Sequence, residues 1–282
     1  MWFSEKALVF VDTRSAALAV YRRTFSGLRL LRFGSERFAS RAGQGSPFGD
    51  VVAGSKDAVS RLARGLSAPM RDATLLLPLG AAFPSIADVS SFTRAQTKDV
   101  DVAELVRFRL APLLPFPIAQ AEVRTESGPA LGAGVTLAQA ILKSTITEAE
   151  SMMSALGFQA LHVTSALSAA LRGLPPRPAT VDLILGDSAS AVAVRDEQGA
   201  IQAIHLRLLL EGDDRAQRSI DEAIRATPLS REIRVVGEDV ATLRSRAPES
   251  VILPGFDTPA LQGSADPQIF PFLGVFHEGP SR

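Results

Sequence analysis

The sequence predicts an α/β protein of two lobes, and the first observation behind this is an order of elements used twice. Residues 7–12 (ALVFVD), 16–22 (AALAVYR) and 28–33 (LRLLRF) have the composition of three short strands. A helix-like stretch at 55–66 and a strand at 73–78 (ATLLLP) follow. The second half repeats the order: 180–185 (TVDLIL), 189–195 (ASAVAVR), 200–208 (AIQAIHLRL), a helix near 214–226 and a strand at 232–236 (EIRVV). The second observation is chemical. In each copy the first hairpin turn carries an Asp among small or hydroxylated residues, Asp12-Thr13-Arg14-Ser15 and then Gly186-Asp187-Ser188-Ala189-Ser190. The third is a Pro-rich stretch between the copies, Gly173-Leu174-Pro175-Pro176-Arg177-Pro178, the clearest linker in the chain.

Two lobes that each turn a polar hairpin toward a shared cleft describe an actin-like (ribonuclease H-like) nucleotide-binding fold. The expected division is lobe I at 1–176 and lobe II at 177–282, with a small insertion subdomain in lobe I at about 81–143. Length allows one large domain or two smaller ones, and a hydrophobic fraction of 46% supplies a sizeable core. Formal net charge is +0 with a pI near 6.9, which argues against an electrostatic binder of nucleic acid or anionic lipid. There is no Cys, hence no disulfide and no thiolate chemistry. The N-terminal residues lack the order of a signal peptide, and no apolar run approaches the roughly 18 residues that span a bilayer. The expectation is a cytoplasmic protein with no direct membrane insertion, attached to a membrane only through a partner.

The remaining elements follow in order. Residues 35–54 are polar and Gly-rich and read as a loop. Ser55 reads as an N-cap before Val59, Leu62, Ala63 and Leu66 at helical spacing. Residues 81–98 read as irregular. In 99–111, Val102, Leu105, Val106 and Leu110 form an apolar stripe, with Glu104, Arg107 and Arg109 largely off it, and Pro112 ends the helix. Strands are expected near 121–126 and 134–142. Thr147 with Glu150 fits a capping box, opening a helix that carries Met152, Met153 and Leu156 and stops at Gly157. Phe158–Val163 reads as a strand and 165–172 as a short helix. The tail is Pro/Gly-rich over 248–268, and its apolar end, 269–276 (IFPFLGVF), is expected to pack back onto a lobe.

Phosphate loops need backbone N–H groups aimed at oxygens with no Cβ in the way. Asp12 could hold a metal-bound water, and Thr13 and Ser15 could donate to phosphate. Gly186, Asp187 and Ser188 form the second turn. Gly212 lies among Glu211, Asp213 and Asp214, and Gly237 precedes Glu238 and Asp239. The competing reading is ordinary turn and N-cap residues, with the acidic groups favouring helix N-termini. A carboxylate 4 Å from a phosphate costs about 1–4 kcal/mol at effective dielectrics of 80–20 unless a metal bridges them. His162, His205 and His277 lack metal-ligand spacing, and no nucleophile elbow or Walker-type loop is present, so no catalytic residue and no metal site is nominated. Leu113-Leu114-Pro115-Phe116-Pro117-Ile118 cannot be helix. It is either a packed loop or the wall of a groove for an extended peptide, with Leu114 and Phe116 displayed beside fixed prolines.

The stretch 101–123 (DVAELVRFRLAPLLPFPIAQAEV) resembles the PilM family of type IV pilus assembly proteins, where a helix runs into a Pro-Phe-Pro-hydrophobic element. Residues 141–171, 181–201 and 271–279 (PFLGVFHEG) are similar to later parts of that family in the same order, so the resemblance spans most of the chain. It implies an actin-like cytoplasmic protein with an insertion in lobe I. It also implies a groove that binds the cytoplasmic tail of a bitopic inner-membrane protein of the PilN kind, with pilus motor ATPases as further partners. On this chain the groove falls to Leu105, Phe108, Arg109, Leu114, Phe116 and Pro117, with Arg107 beside them and Phe116 held out by its prolines. Many members of the family bind ATP, with Mg. Here the family's Gly-containing turns stand as Asp12-Thr13-Arg14-Ser15, Glu211-Gly212-Asp213 and Val236-Gly237-Glu238. The helix after Asp214 also reaches the 232–236 strand almost at once, leaving lobe II short where the family has part of its adenine pocket. The cytoplasmic region of GspL of type II secretion shares this fold. The expected function is a scaffold of a pilus or secretion assembly platform with a degenerate nucleotide site. The alternatives are an ATP-binding actin-like ATPase that regulates pilus assembly and a sugar-kinase-like transferase.

Overall fold

A computed structural model of the protein describes residues 5–24, 27–38, 50–64, 72–88, 102–128, 131, 135–158, 160–187, 189–208, 232–237 and 251–252. In chain order, the first elements are β1 (Glu5–Val11), β2 (Ser15–Thr24), β3 (Gly27–Arg37), α1 (Asp50–Ala63), β4 (Asp72–Leu77) and β5 (Ala82–Asp88). Then come α2 (Val102–Leu110), β6 (Ala121–Ser127), β7 (Val135–Leu142), α3 (Lys143–Ala155), β8 (Ala160–Ser165) and α4 (Ala166–Gly173). The second half supplies β9 (Thr180–Leu185), β10 (Ala189–Arg195), β11 (Ile201–Leu208), β12 (Glu232–Gly237) and β13 (Val251–Ile252).

The doubled order in the sequence becomes a doubled sheet. The first runs β3-β2-β1-β4-β8 and the second β11-β10-β9-β12-β13. In both, three antiparallel strands lead into two parallel ones. The leading strand of each copy is mostly apolar, Ala7–Val11 in β1 and all of β9 but Thr180 and Asp182, because both its faces are covered, as expected for a strand with a parallel neighbour. On β1, Ala7, Val9 and Val11 pack with Leu18, Val59, Ile146 and Met153 beneath α1 and α3. Leu8 and Phe10 face the other way, into a cluster shared with Leu167 and Leu171 of α4 and with Ile184, Ala191, Ile201 and Val236 of the second sheet. One apolar core therefore runs through both sheets.

A third, smaller sheet, β5-β7-β6, carries α2 on one side. Its own core is Val106, Leu110, Ala121, Ala138 and Ala140. The irregular stretch expected over 81–98 is thus partly strand. Pro84 hid it, and β5 tolerates that proline because it lies at the edge of its sheet among the described elements. Residues 35–54 are likewise not all loop: β3 continues to Arg37 and α1 opens at Asp50. Ser55 is consequently inside α1, buried, with its hydroxyl donating to Val52 O at 2.9 Å.

The capping box at Thr147 also moves. β7 passes into α3 at Lys143 without a loop, Leu142 occupies the cap position with no side-chain bond, and Thr147 Oγ1 donates to Lys143 O at 3.0 Å. The far end of α3 obeys its signal. Gly157 adopts φ +82, its N–H bonds Ser154 O at 3.0 Å, and the Phe158 N–H reaches Met153 O at 2.9 Å, a Schellman closure. Ser165 caps α4 by accepting from the Ser168 N–H at 3.1 Å. The helix expected at 214–226, the turn at Gly212 and the apolar end at 269–276 lie outside the described residues.

Candidate functional site

The two polar hairpin turns meet. In the first, the Asp12 N–H donates to Ser15 O at 2.8 Å; in the second, the Gly186 N–H donates to Ala189 O at 2.9 Å. These matching closures make Asp12 equivalent to Gly186 and Thr13 equivalent to Asp187. The two aspartates, paired by composition in the sequence, therefore occupy different places in their turns. That offset lets them interlock. Asp12 is fully buried; its Oδ1 accepts the Thr13 N–H at 2.7 Å and its Oδ2 accepts the Asp187 N–H at 3.1 Å. Ser15 Oγ donates to Asp187 Oδ2 at 3.0 Å.

Gly186 is glycine because of this approach. A Cβ there would lie 3.1 Å from Asp12 Oδ2, 3.2 Å from Leu79 Cδ1 and 3.3 Å from Ala189 O. Leu79 is buried, in a 3-10 turn (Leu79–Ala81) after β4. Gly237 ends β12 beside Leu185 at the base of the second turn, while Ser188 and Gly212 lie outside the described residues. Of the donors expected to face a phosphate, the Ser15 hydroxyl is thus engaged with the opposite turn and the Thr13 N–H with Asp12 of its own turn. An incoming phosphate would have to displace the Asp187 N–H from Asp12 and sit beside two carboxylates.

The insertion sheet presents the other candidate surface. Val106 and Leu110 turn α2 into its small core, which leaves Arg107, Phe108 and Arg109 on the outside. Phe108 is 79% exposed and Leu113, in the 3-10 turn Ala111–Leu113, is 64% exposed. Pro115 and Pro117 are exposed and Leu114 is half-buried. Phe116 is not held out by its prolines: it is half-buried, with its ring 5.2 Å from that of Phe83 at 81°. Two prolines fix the backbone but not the direction of the side chain between them, and an edge-to-face aromatic contact draws this one inward. The Leu105 side chain lies outside the described residues.

One cluster escaped the sequence reading. Asp182, Arg195 and Arg234 are all buried in the second sheet. Arg195 Nε donates to Asp182 Oδ2 at 2.7 Å and Arg234 Nε to Oδ1 at 2.6 Å. Burial holds the Arg234 guanidinium below its ordinary value, with Asp182 acting in the opposite direction. The signal was present as one charge in each of the apolar strands TVDLIL and ASAVAVR and as Arg234 two residues after Glu232 in EIRVVG. Among the described residues no helix is long and apolar enough to cross a membrane.

Two sheets of one repeated order, with their first turns facing, define a two-lobed actin-like fold. Comparison with solved structures agrees. The chain is similar to one in the PilM–PilN type IV pilus biogenesis complex, at 15% identity over 97% of each chain and a TM-score of 0.62. It is similar to the cytoplasmic domain of EpsL, an inner-membrane component of the type II secretion system of Vibrio cholerae, at 9% identity over 89% of this chain and 84% of that one, TM-score 0.53. A protein of actin-like ATPase fold and unknown function from Bacteroides thetaiotaomicron matches at 10% identity over 86% of both chains, TM-score 0.53. No protein-family model and no curated protein sequence matches the chain.

Proposed function

We propose that the protein is a scaffold of a type IV pilus or type II secretion inner-membrane platform that captures the cytoplasmic tail of a bitopic, PilN-like protein. The observation that carries this reading is the end-to-end likeness to a chain of the PilM–PilN complex, which covers 97% of both chains. The surface of α2 and the Pro-Phe-Pro segment supports it, with Phe108 and Leu113 exposed beside Arg107 and Arg109. A tail docked there makes its apolar contacts with Phe108, Leu113 and Leu114, and its carboxylates or carbonyls face the two arginines. Phe116 and Pro117 shape the floor and wall, and Leu105 completes the residues assigned to the groove. The protein then sits at the cytoplasmic face of the membrane through its partner, with pilus motor ATPases as further contacts, and divides into lobes at 176/177.

In this reading the interlocked turns make the nucleotide site vestigial. Mg-ATP binds no tighter than about millimolar, roughly −4 kcal/mol, and the protein is not an ATPase. Asp12, Thr13, Ser15, Gly186, Asp187, Ser188, Gly212 and Gly237 are the remnants of that site. The experiment is a titration with the N-terminal peptide of the bitopic protein encoded beside it, repeated with Phe108→Ala. Truncating one apolar anchor commonly costs about 2 kcal/mol, roughly thirty-fold in affinity. Unchanged affinity removes the surface assignment, and a wild type that binds no such peptide removes the scaffold reading. Micromolar affinity for Mg-ATP would restore the ATPase reading.

A further inference from the structure

We infer that the segment joining the lobes is a strap fastened to the second sheet, not a free hinge, and that Arg234 is the pin that fastens it. The inference stands apart from any partner. Two-lobed proteins commonly move about a few residues in their connecting segments. Here those residues are tied down one after another. Arg234 Nη1 donates to Pro175 O at 2.8 Å. Arg177 Nη1 bonds Glu232 Oε1 at 3.0 Å, on the same strand, β12. The Ala179 N–H donates to Asp196 O at 2.7 Å, in the turn after β10. That turn also touches the strap: a Cβ on Gly199 would lie 3.2 Å from Pro176 Cβ. On the other side, Leu174 is buried in the core shared by both sheets.

The pin is itself fixed. Arg234 is 2% exposed, and its Nε is held by Asp182, whose other oxygen takes Arg195 Nε. Arg195 Nη1 in turn donates to Gly199 O at 2.9 Å. A carboxylate between two buried guanidiniums is tolerated only when its bonds are made in good geometry, so the cluster has little freedom to shift. The strap inherits that fixity. Between the first turns of the two sheets, Ser15 and Asp12 hold Asp187. Fastened at both places, the lobes keep an orientation set by the chain's own residues, with no ligand required to impose it.

The absence of cysteine makes a direct test clean. Spin labels go on Lys56→Cys in α1 and Glu197→Cys in the turn after β10, both exposed positions. The wild-type background is expected to give one narrow distance distribution. Arg234→Met frees Pro175 O and leaves a balanced Asp182–Arg195 pair, and is expected to broaden the distribution about twofold. Arg124→Met removes the Arg124–Glu122 pair in the insertion sheet, leaves every bond of the strap in place, and is expected to stay narrow. A broad or two-peaked wild-type distribution overturns the inference, and so do equal widths for the two variants. Should Arg234→Met fail to fold, hydrogen exchange of the wild type decides. An Ala179 amide as protected as those of β9 supports the strap, and exchange at the rate of free chain overturns it.

Discussion

Replacing Gly186 by alanine probes the interlocked turns most directly. The added Cβ would lie 3.1 Å from Asp12 Oδ2, 3.2 Å from Leu79 Cδ1 and 3.3 Å from Ala189 O. Asp12 and Leu79 belong to the first lobe and Ala189 to the second, so the methyl wedges the two apart. None of the three yields easily. Asp12 is fully buried and Leu79 is 1% exposed, while the third atom is backbone. Overpacking of a full site costs about 1–3 kcal/mol. If Asp12 retreats, its bond from the Asp187 N–H is lost as well, and charge-assisted bonds carry about 1.5–3 kcal/mol. The sum is roughly 2.5–6 kcal/mol, and at about 2–4 °C per kcal/mol the melting midpoint should fall by about 5–24 °C. Calorimetric melting measures it. Gly128→Ala is the companion, because a Cβ there meets nothing within 4 Å and should change stability by no more than about 0.5 kcal/mol. If Gly186→Ala melts with the wild type, the two turns do not meet as described.

Three further outcomes follow from named contacts. Asp182→Asn leaves two buried guanidiniums facing a neutral amide and should destabilise by about 3–5 kcal/mol in denaturant unfolding, where a loss under 1 kcal/mol would contradict the buried cluster. Ala179 adopts φ +50, a strained conformation for a residue with a Cβ. Ala179→Gly relieves about 1–2 kcal/mol of that strain against 0.5–1 kcal/mol of added chain entropy, so it should be neutral or slightly stabilising, and a marked loss would count against the backbone assignment. Glu36 accepts from Arg61 Nε at 2.8 Å, tying β3 to α1, and this bond, opposed by a smaller effect of burial, lowers its pKa. A lowered folded pKa gives stability that is present above the unfolded carboxylate pKa and lost as pH falls through the folded one. Glu36→Gln should therefore lower stability slightly at neutral pH and converge with the wild type at low pH, which flattens the acid limb, and an unaltered acid limb would remove the pair.

The strands were legible because burial on two faces writes itself as unbroken apolar runs, as in ALVFVD and TVDLIL. The doubled order was legible for the same reason. Boundaries failed where a residue had two plausible jobs. Thr147 fits a cap in sequence, yet the chain enters α3 directly from β7, so the hydroxyl bonds back to Lys143 instead. Composition matched Asp12 with Asp187, but equivalence in a turn is fixed by which N–H closes on which carbonyl, and closure pairs Asp12 with Gly186. Phe116 shows that flanking prolines set a backbone and say nothing about a neighbouring ring such as Phe83. The charges of the Asp182 cluster stood out in their apolar strands, but their pairing was not legible because Arg234 and Arg195 sit 52 and 13 residues from Asp182 and only strand order brings them together.

The apolar cluster common to both sheets also bears on how the chain acquires its structure. Leu8 and Phe10 are finished on one side only when Ile184 and Val236 arrive. During synthesis the first half emerges long before those residues exist, with one face of its sheet covered only in part, by α4. Interlocking bonds such as the one from Asp187 to Asp12 span 175 residues, and closing so long a loop is entropically slow. The amino-terminal half is thus committed to waiting, and the two halves are expected to reach and leave the native state in a single cooperative step.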